Sequence, residues 1–408
     1  MRRARRASIW DVDGHRYLDF NMAFGAAVAG HANPLVLGAV REAAAKGSIF
    51  GFEGEDAWRL SRALCERYRL DRVKLSVTGM DATQFAVRFA RSFTDRPGVL
   101  KFEGCYHGSH DSLLMSIKPT KEREGDPRRP TPVPASRGLV PELADRTLVA
   151  PFNDLAATEE IARDRGSELA AIILEPIPMN MGVVVPVPGF LEGLRRLADD
   201  LGALLIFDEV KTAVKFYGGA EEVFGVRPDL KVFGKGLAGG FPLAAVGGRA
   251  DVMESVVPGV VSHAGTYNAN PVGVAAGLAT VTEVLTRGRM RAAAHLADAL
   301  ARGYEDAIVD REVPARVQEA GLSGTIHFTE TPVVDWRSFQ SVDVAKWWGY
   351  YTAMLNRGVI PMATGPDEQW TVSAVHARQD IDRHIEVFDE VAKEIVRFEG
   401  RVAMVESI

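Results

Sequence analysis

Cysteine is almost missing from this chain: of 408 residues, only Cys65 and Cys105 carry thiols. Two cysteines cannot build a disulfide framework or a cysteine-based zinc site. The expected setting is therefore a reducing, cytoplasmic one, and no metal is expected. Long apolar runs are missing too. No uncharged apolar stretch reaches the roughly 18 residues of a membrane-spanning helix, so no membrane association is expected. The basic start "MRRARRAS" runs directly into "IWDVDGHRYLDF", without the apolar segment of a secretory signal. Such an arm reads as a solvated terminus or as a nucleic-acid contact, and the former is the expectation. A strong excess of one charge is absent as well. With 48 Lys and Arg against 54 Asp and Glu, the net charge is −6, which gives no global sign of nucleic-acid binding. Nucleotide motifs are also lacking: there is no G-x-x-x-x-G-K-[ST], and no G-x-G-x-x-G follows the first strand, which weighs against ATPase and dinucleotide readings.

What remains is an ordinary globular composition, 47% hydrophobic and 25% charged, in a chain long enough for more than one domain. "IWDVDGHRYLDF" reads as a small hairpin turning at Asp13-Gly14. "NPLVLGAVREAAAKG" reads as a helix with Asn33 as N-cap, Pro34 in the first turn and Gly47 as stop. "DAWRLSRALCERY" is a second amphipathic helix. Strand candidates follow in "DRVKLSVTG", "GVLKFEG", "LAAIILEP", "LGALLIFDE" and "DLKVFGKG", with helices such as "MDATQFAVRFARSF" and "GFLEGLRRLADDLG" between them. Apolar runs alternating with helices predict an α/β fold with a mostly parallel sheet covered on both faces. Ligands bind such sheets beyond the carboxyl ends of the strands. Between 116 and 137 the pattern breaks into "SIKPTKEREGDPRRPTPVPASR", a charged, Pro-rich segment expected to be a surface flap. Its Lys118, Lys121 and Arg123 hint at an anionic group on a substrate. After about Gly288 the composition shifts to a long amphipathic helix and a smaller C-terminal domain, completed by the N-terminal segment. The expected division is 1–50 (N-terminal part of the small domain), 51–286 (large domain) and 287–408 (C-terminal small domain).

Four polar constellations end predicted strands. "SVTGMDATQFAVRFAR" places a Gly turn at a helix start, which either binds phosphate through free N–H groups or serves chain geometry alone. "FEGCYHGSHD" brackets Tyr106-His107 with glycines, either to cover a flat ring or to fill the core edge. "LLIFDEVKTAVKF" drives Asp208-Glu209 to the end of a core strand. There Asp208 either meets a protonated ring nitrogen or joins Glu209 in surface salt bridges to Lys211 and Lys215. "DLKVFGKGLAGGFPLAAVGG" places Lys235 between glycines in apolar surroundings, where a partly buried amine becomes a nucleophile; the alternative is an ordinary solvated charge.

The order and spacing of these segments are more specific than any one of them. With "DVDGHRYLDF", "GHANPLVLGAV", "KFEGCYHGSHDSLL", "ILEPIPMNMGVVVPVPGFLEGLR", "GGAEEVFGVRPDL", "FGKGLAGGFPLAAVGG", "AGTYNANPVGVAAGLAT" and "VSAVHARQDID", they run over nearly the whole chain. Together they resemble the class III pyridoxal-phosphate aminotransferases of fold type I, most closely the glutamate-1-semialdehyde 2,1-aminomutase branch. The resemblance implies a large domain with the family's mostly parallel, seven-stranded type of sheet and a smaller α+β domain from both chain ends. It implies a pyridoxal 5′-phosphate cofactor and a homodimer with shared active sites, acting on a small-molecule amino donor and acceptor. Lys235 would form the Schiff base and shuttle the proton, and Asp208 would keep the pyridinium nitrogen protonated. Tyr106 and Val210 would pack on opposite ring faces, with His107 alongside. Thr78, Gly79 and Met80 would surround the phosphate, Asn180 would lie near the ring hydroxyl, and Thr266 would reach the partner's cofactor phosphate. Phe24, Glu368 and Arg3 would face substrate.

The departures from the family pattern are specific. The phosphate turn, usually "NSGTEA", is "VTGMDA", so Met80 replaces a hydroxyl and Asp81 a glutamate. Either Thr78 or the backbone N–H groups would compensate. Phe24 stands where the branch has tryptophan. "MTGFR" is replaced by "KTAVK", which brings Lys211 and Lys215 near the cofactor. The Ser-Gly-rich gating loop of the aminomutases gives way to the charged flap, and the leading helix is not evident. An aminomutase must hold its intermediate, whereas an aminotransferase releases a keto product, and the altered flap and pocket favour release. The expected function is therefore amino-group transfer through Lys235. The alternatives are a strict aminomutase, an amino-acid epimerase and a non-catalytic dimeric homologue.

Overall fold

The computed structural model describes residues 1–398. Among these, the apolar runs assemble a seven-stranded sheet in the order Arg72–Ser76, Ala244–Gly248, Leu230–Phe233, Leu204–Asp208, Leu169–Leu174, Gly98–Phe102, Thr147–Ala150. All neighbours are parallel except around Ala244–Gly248, which runs antiparallel to both strands beside it. Leu204–Asp208 and Leu169–Leu174 are buried at every position, as strands covered on both faces must be. Helices supply the covers. Phe190–Leu201 turns Phe190, Leu191, Leu194 and Leu197 toward the sheet and stops at Gly202, and Gly79–Thr94 buries Phe85, Ala86 and Phe89.

The sequence signals for helix Pro34–Lys46 act as expected: the Asn33 side chain accepts from the Leu35 N–H, and Gly47 follows the last turn. Pattern reading misses two strands of this sheet, the edge strand Thr147–Ala150 and Ala244–Gly248, whose "AAVGG" looks like a turn. The latter is a strand because only small residues fit there. A Cβ on Gly247 would lie 2.6 Å from the Arg72 carbonyl oxygen, and one on Gly248 would collide with that of Asp229.

The smaller unit joins both chain ends. Strands Arg3–Arg5, Ser8–Trp10 and Arg16–Asp19 form a sheet with Val359–Ile360. Helices Arg287–Asp310, Val344–Asn356 and Arg378–Ile395 pack around a core that includes Tyr304, Tyr350, Trp370 and Phe388. The end of the 287–408 segment, 399–408, lies outside the described residues. No described helix is long and apolar enough to cross a membrane.

The 116–137 segment forms a two-stranded ribbon, Gly125–Asp126 with Arg129–Pro130, clamped to the smaller unit. Arg337 bridges Glu103 at 2.7 Å and Glu124 at 2.8 Å, the Trp336 indole N–H donates to the Pro119 carbonyl, and Lys118 pairs with Asp367 at 2.7 Å. Arg128 and Arg129 pair with Glu160 and Asp164. Half of the flap's six basic residues, Lys118, Arg128 and Arg129, are thus matched within the protein.

The tight strand gives a direct stability test. Gly248→Ala is expected to lower the denaturation midpoint, at a cost of about 1–3 kcal/mol or more. Gly38→Ala, in a helix where an added Cβ meets open space, is expected to stabilise by about 0.5–1 kcal/mol.

Candidate active site

Five connections leave the same edge of the sheet, after the strands ending at Ser76, Phe102, Leu174, Asp208 and Phe233. They enclose a cavity of about 150 Å³ whose wall includes Gly79, Tyr106, His107, Asp208, Val210 and Lys235. The sequence places those residues far apart; the parallel strands bring them together. The turns meet almost backbone to backbone. A Cβ on Gly79 would lie 2.9 Å from Val210 Cγ2, and one on Gly108 would lie 2.9 Å from Met80 Cβ. Only glycine allows the approach at either place.

Asp208 is 3% exposed. Its Oδ2 lies 2.7 Å from His107 Nδ1, and its Oδ1 accepts from the Val210 N–H. With the proton on Nδ1, His107 donates to the carboxylate, which leaves its buried Nε2 without a partner among the described residues. Asp208-Glu209 forms no bridge to Lys211 or Lys215. Glu209 points away, accepting from the Ala220 N–H at 2.6 Å, and burial raises its carboxyl to about 7.

Lys235 opens a short 3₁₀ turn in left-handed backbone conformation, φ 45°. Its Nζ lies 5.7 Å from the centre of the Phe24 ring. Burial, together with the Lys211 charge, lowers its pKa to about 8; Glu368, Glu175 and Asp208 act in the opposite direction. Lys211 is 5% exposed and pairs with Glu368 at 2.8 Å. Lys215 donates to the Thr371 hydroxyl.

At the start of helix Gly79–Thr94 the Thr78 hydroxyl is committed to a capping box: it accepts from the Asp81 N–H and donates to Asp81 Oδ2. The Gly79 and Met80 N–H groups have no partner among the described residues. An anion at this helix start would therefore meet backbone donors rather than Thr78.

Not every expected residue reaches the cavity. Arg3 sits on the outer sheet with its guanidinium 4.2 Å over the Trp10 ring, because its strand pairs with Ser8–Trp10 away from the site. Thr266 is exposed and does not line this chain's cavity. Lys118, Lys121 and Arg123 do not line it either. Lys211 lines it, as its place in "KTAVK" led one to expect, whereas Glu175 and Thr83 line it without having been given a role. Glu175 follows strand Leu169–Leu174 directly, as Asp208 closes its own strand, and that parallel was the available signal. It accepts from the Asn180 side chain at 2.7 Å and from the Tyr106 N–H at 3.1 Å. Thr83 carried no such signal; its hydroxyl donates to the His107 carbonyl.

Residues 1–391 match the family described as aminotransferase class-III. A glutamate-1-semialdehyde 2,1-aminomutase of Desulforudis audaxviator is 40% identical over 391 residues, covering 95% of this chain and 89% of that protein. The Aquifex aeolicus protein of that name is 36% identical, with 96% and 92% covered. Among solved structures, an omega-transaminase from Sphaerobacter thermophilus superposes with a TM-score of 0.91 at 34% identity, covering 97% and 91% of the two chains. A glutamate-1-semialdehyde aminomutase from Pseudomonas aeruginosa gives 0.86 at 27% identity, covering 97% and 87%. The cavity suits the cofactor of such enzymes. A buried carboxylate matches a ring cation, a helix start with two free amides matches a phosphate, and a lysine of lowered pKa matches an aldehyde. The chain belongs to the class-III aminotransferase family and is a pyridoxal-phosphate-dependent enzyme of amino-group transfer.

Proposed function

We infer that this chain is an aminotransferase that takes an amino group from one small molecule, an amino acid or amine, and gives it to a separate keto or aldehyde acceptor. The observation that carries the choice is the flap, which Arg337, Trp336 and Asp367 tie to the smaller unit, where it lines no part of the cavity. A strict aminomutase is the second reading, favoured by the names of relatives up to 40% identical.

When bound, pyridoxal 5′-phosphate supplies an aldehyde that takes up the amino group and a ring that withdraws electrons from the reacting carbon. The residues divide the remaining work. Asp208 would hold the proton on the ring nitrogen, and His107 fixes the Asp208 carboxylate. Lys235 Nζ would hold the cofactor through its aldehyde carbon and would be placed to carry the proton of the donor's amino-bearing carbon. The Gly79 and Met80 amides bind phosphate, with Thr78 shaping the turn. Tyr106 and Val210 pack against the ring, and Asn180 orients its hydroxyl. Phe24 and Glu368 border the substrate side.

A homodimer fits the surface. Phe50, Phe52, Trp58, Val260 and Tyr267 are exposed, Phe52 at 89%. The Asn270 side chain bonds the Ser48 carbonyl at 2.9 Å, which ties their two segments into one apolar face. Thr266 lies on that face, where it would reach the partner's cofactor phosphate.

Two measurements test this reading. Cofactor-loaded protein incubated with an amino donor alone should accumulate the amine form of the cofactor and free keto acid in equal amounts. An isomerised substrate with no free keto acid would instead select the aminomutase. The Lys235 amine reacts only when unprotonated, and its pKa lies at about 8 rather than 10.5. Capture of added cofactor, followed by visible absorbance, should therefore rise with pH through a midpoint near 8. A midpoint above 10 would contradict the assigned environment.

A further inference from the structure

We propose that Lys211 determines which amino donors the site accepts. It locks Glu368 into a buried ion pair, so that no free carboxylate is left for a second ammonium group. The donor is then a compound with one amino group and an uncharged or anionic remainder. The inference rests on reading this cavity as the amino-transfer site.

Lys211 and Lys235 share the cavity wall. The Lys211 Nζ donates to Glu368 Oε2 at 2.8 Å and to the Met179 carbonyl at 3.2 Å, and the Glu368 side chain is only 12% exposed. Charges this dry are weakly screened, and neither partner of such a pair is easily released. The other acids at the cavity are matched in the same way. Asp208 is held by His107 and the Val210 N–H, and Glu175 by Asn180 and the N–H groups of Tyr106 and Met179.

The cations are not matched so evenly. Lys215, 2% exposed, has the Thr371 hydroxyl at 2.8 Å and no carboxylate in ion-pair reach among the described residues. Gly25, next to Phe24, closes over it: a Cβ there would lie 2.6 Å from its Nζ. Burial, with the Lys211 and Lys235 charges, pushes its pKa well down. An arriving second ammonium group would thus meet the Lys211 charge and find no free counter-ion, whereas an apolar or carboxylate-bearing remainder would not face that cost. The same electrostatics disfavour keeping a compound with two amino groups, which intramolecular transfer requires.

The test uses Lys235→Ala protein loaded with pyridoxal 5′-phosphate, which takes up amines without turnover and reports them in its visible spectrum. The probes are 2-aminobutanoate and 2,4-diaminobutanoate, equal in chain length. The Lys211 background should bind the monoamine on the order of tenfold more tightly. Adding Lys211→Met frees Glu368 and should bring the ratio to unity or invert it; adding Glu368→Gln as well should abolish that gain. Denaturation of the cofactor-free variants supplies a second readout, with either single change costing more than the pair together. A diamine preference in the Lys211 background, or a ratio untouched by Lys211→Met, overturns the inference alone. Wild-type protein that gives no visible band with the cofactor would overturn the amino-transfer reading and the inference with it.

Discussion

Asp208 ends a strand in which every residue is buried, and an ionised carboxylate there costs several kcal/mol unless it is paired. That requirement organises the surroundings. His107 must come from the neighbouring connection to meet it, which forces the Gly104–Gly108 turn close to the start of helix Gly79–Thr94. The same closeness brings that helix start to the cavity, and with it two backbone amides suited to a phosphate. On the proposed reading the cofactor's ring cation would complete what His107 begins, so the acid that shapes the site would also tune its chemistry.

The sheet edge concentrates charge of both signs. Asp208 and Glu175 line a cavity of about 150 Å³ together with Lys211 and Lys235, while Glu368 pairs with Lys211 outside that lining. Family membership fixes the cofactor and the class of reaction. What is particular to this chain is how its two extra lysines are placed: Lys211 is paired with a carboxylate, whereas Lys215 has only a hydroxyl. The clamped flap lines no part of that cavity. Substrate choice therefore rests on electrostatics at "KTAVK" more than on a moving lid.

Much of the fold was legible because its elements are locally consistent. Asn33, Pro34 and Gly47 mark a helix that forms where they say, and the apolar run from Leu204 could only be a buried strand. Ala244–Gly248 was illegible because its strand character comes from neighbours that leave no room for a Cβ, which is tertiary information. At the site, Lys235, Asp208, Tyr106 and His107 stood out by position and converge on one cavity. Glu175 and Thr83 went unassigned because their function lies in bonds to Asn180, Tyr106 and His107, and bonds of that kind leave no sequence pattern. Arg3 could not be placed from "RRARR", where register decides everything; the strand pairing turns it toward Trp10. Thr266 is exposed outside the cavity, and its expected role depends on the proposed partner chain, which no pattern within one chain displays.

The account turns on whether Asp208 holds a proton on the cofactor ring. The most direct measurement is the ¹⁵N chemical shift of ring-labelled pyridoxal 5′-phosphate bound to the protein. A protonated pyridinium in wild-type protein, lost in Asp208→Ala, is the predicted result. An unprotonated ring nitrogen in the wild type, or one whose shift ignores Asp208, would contradict it.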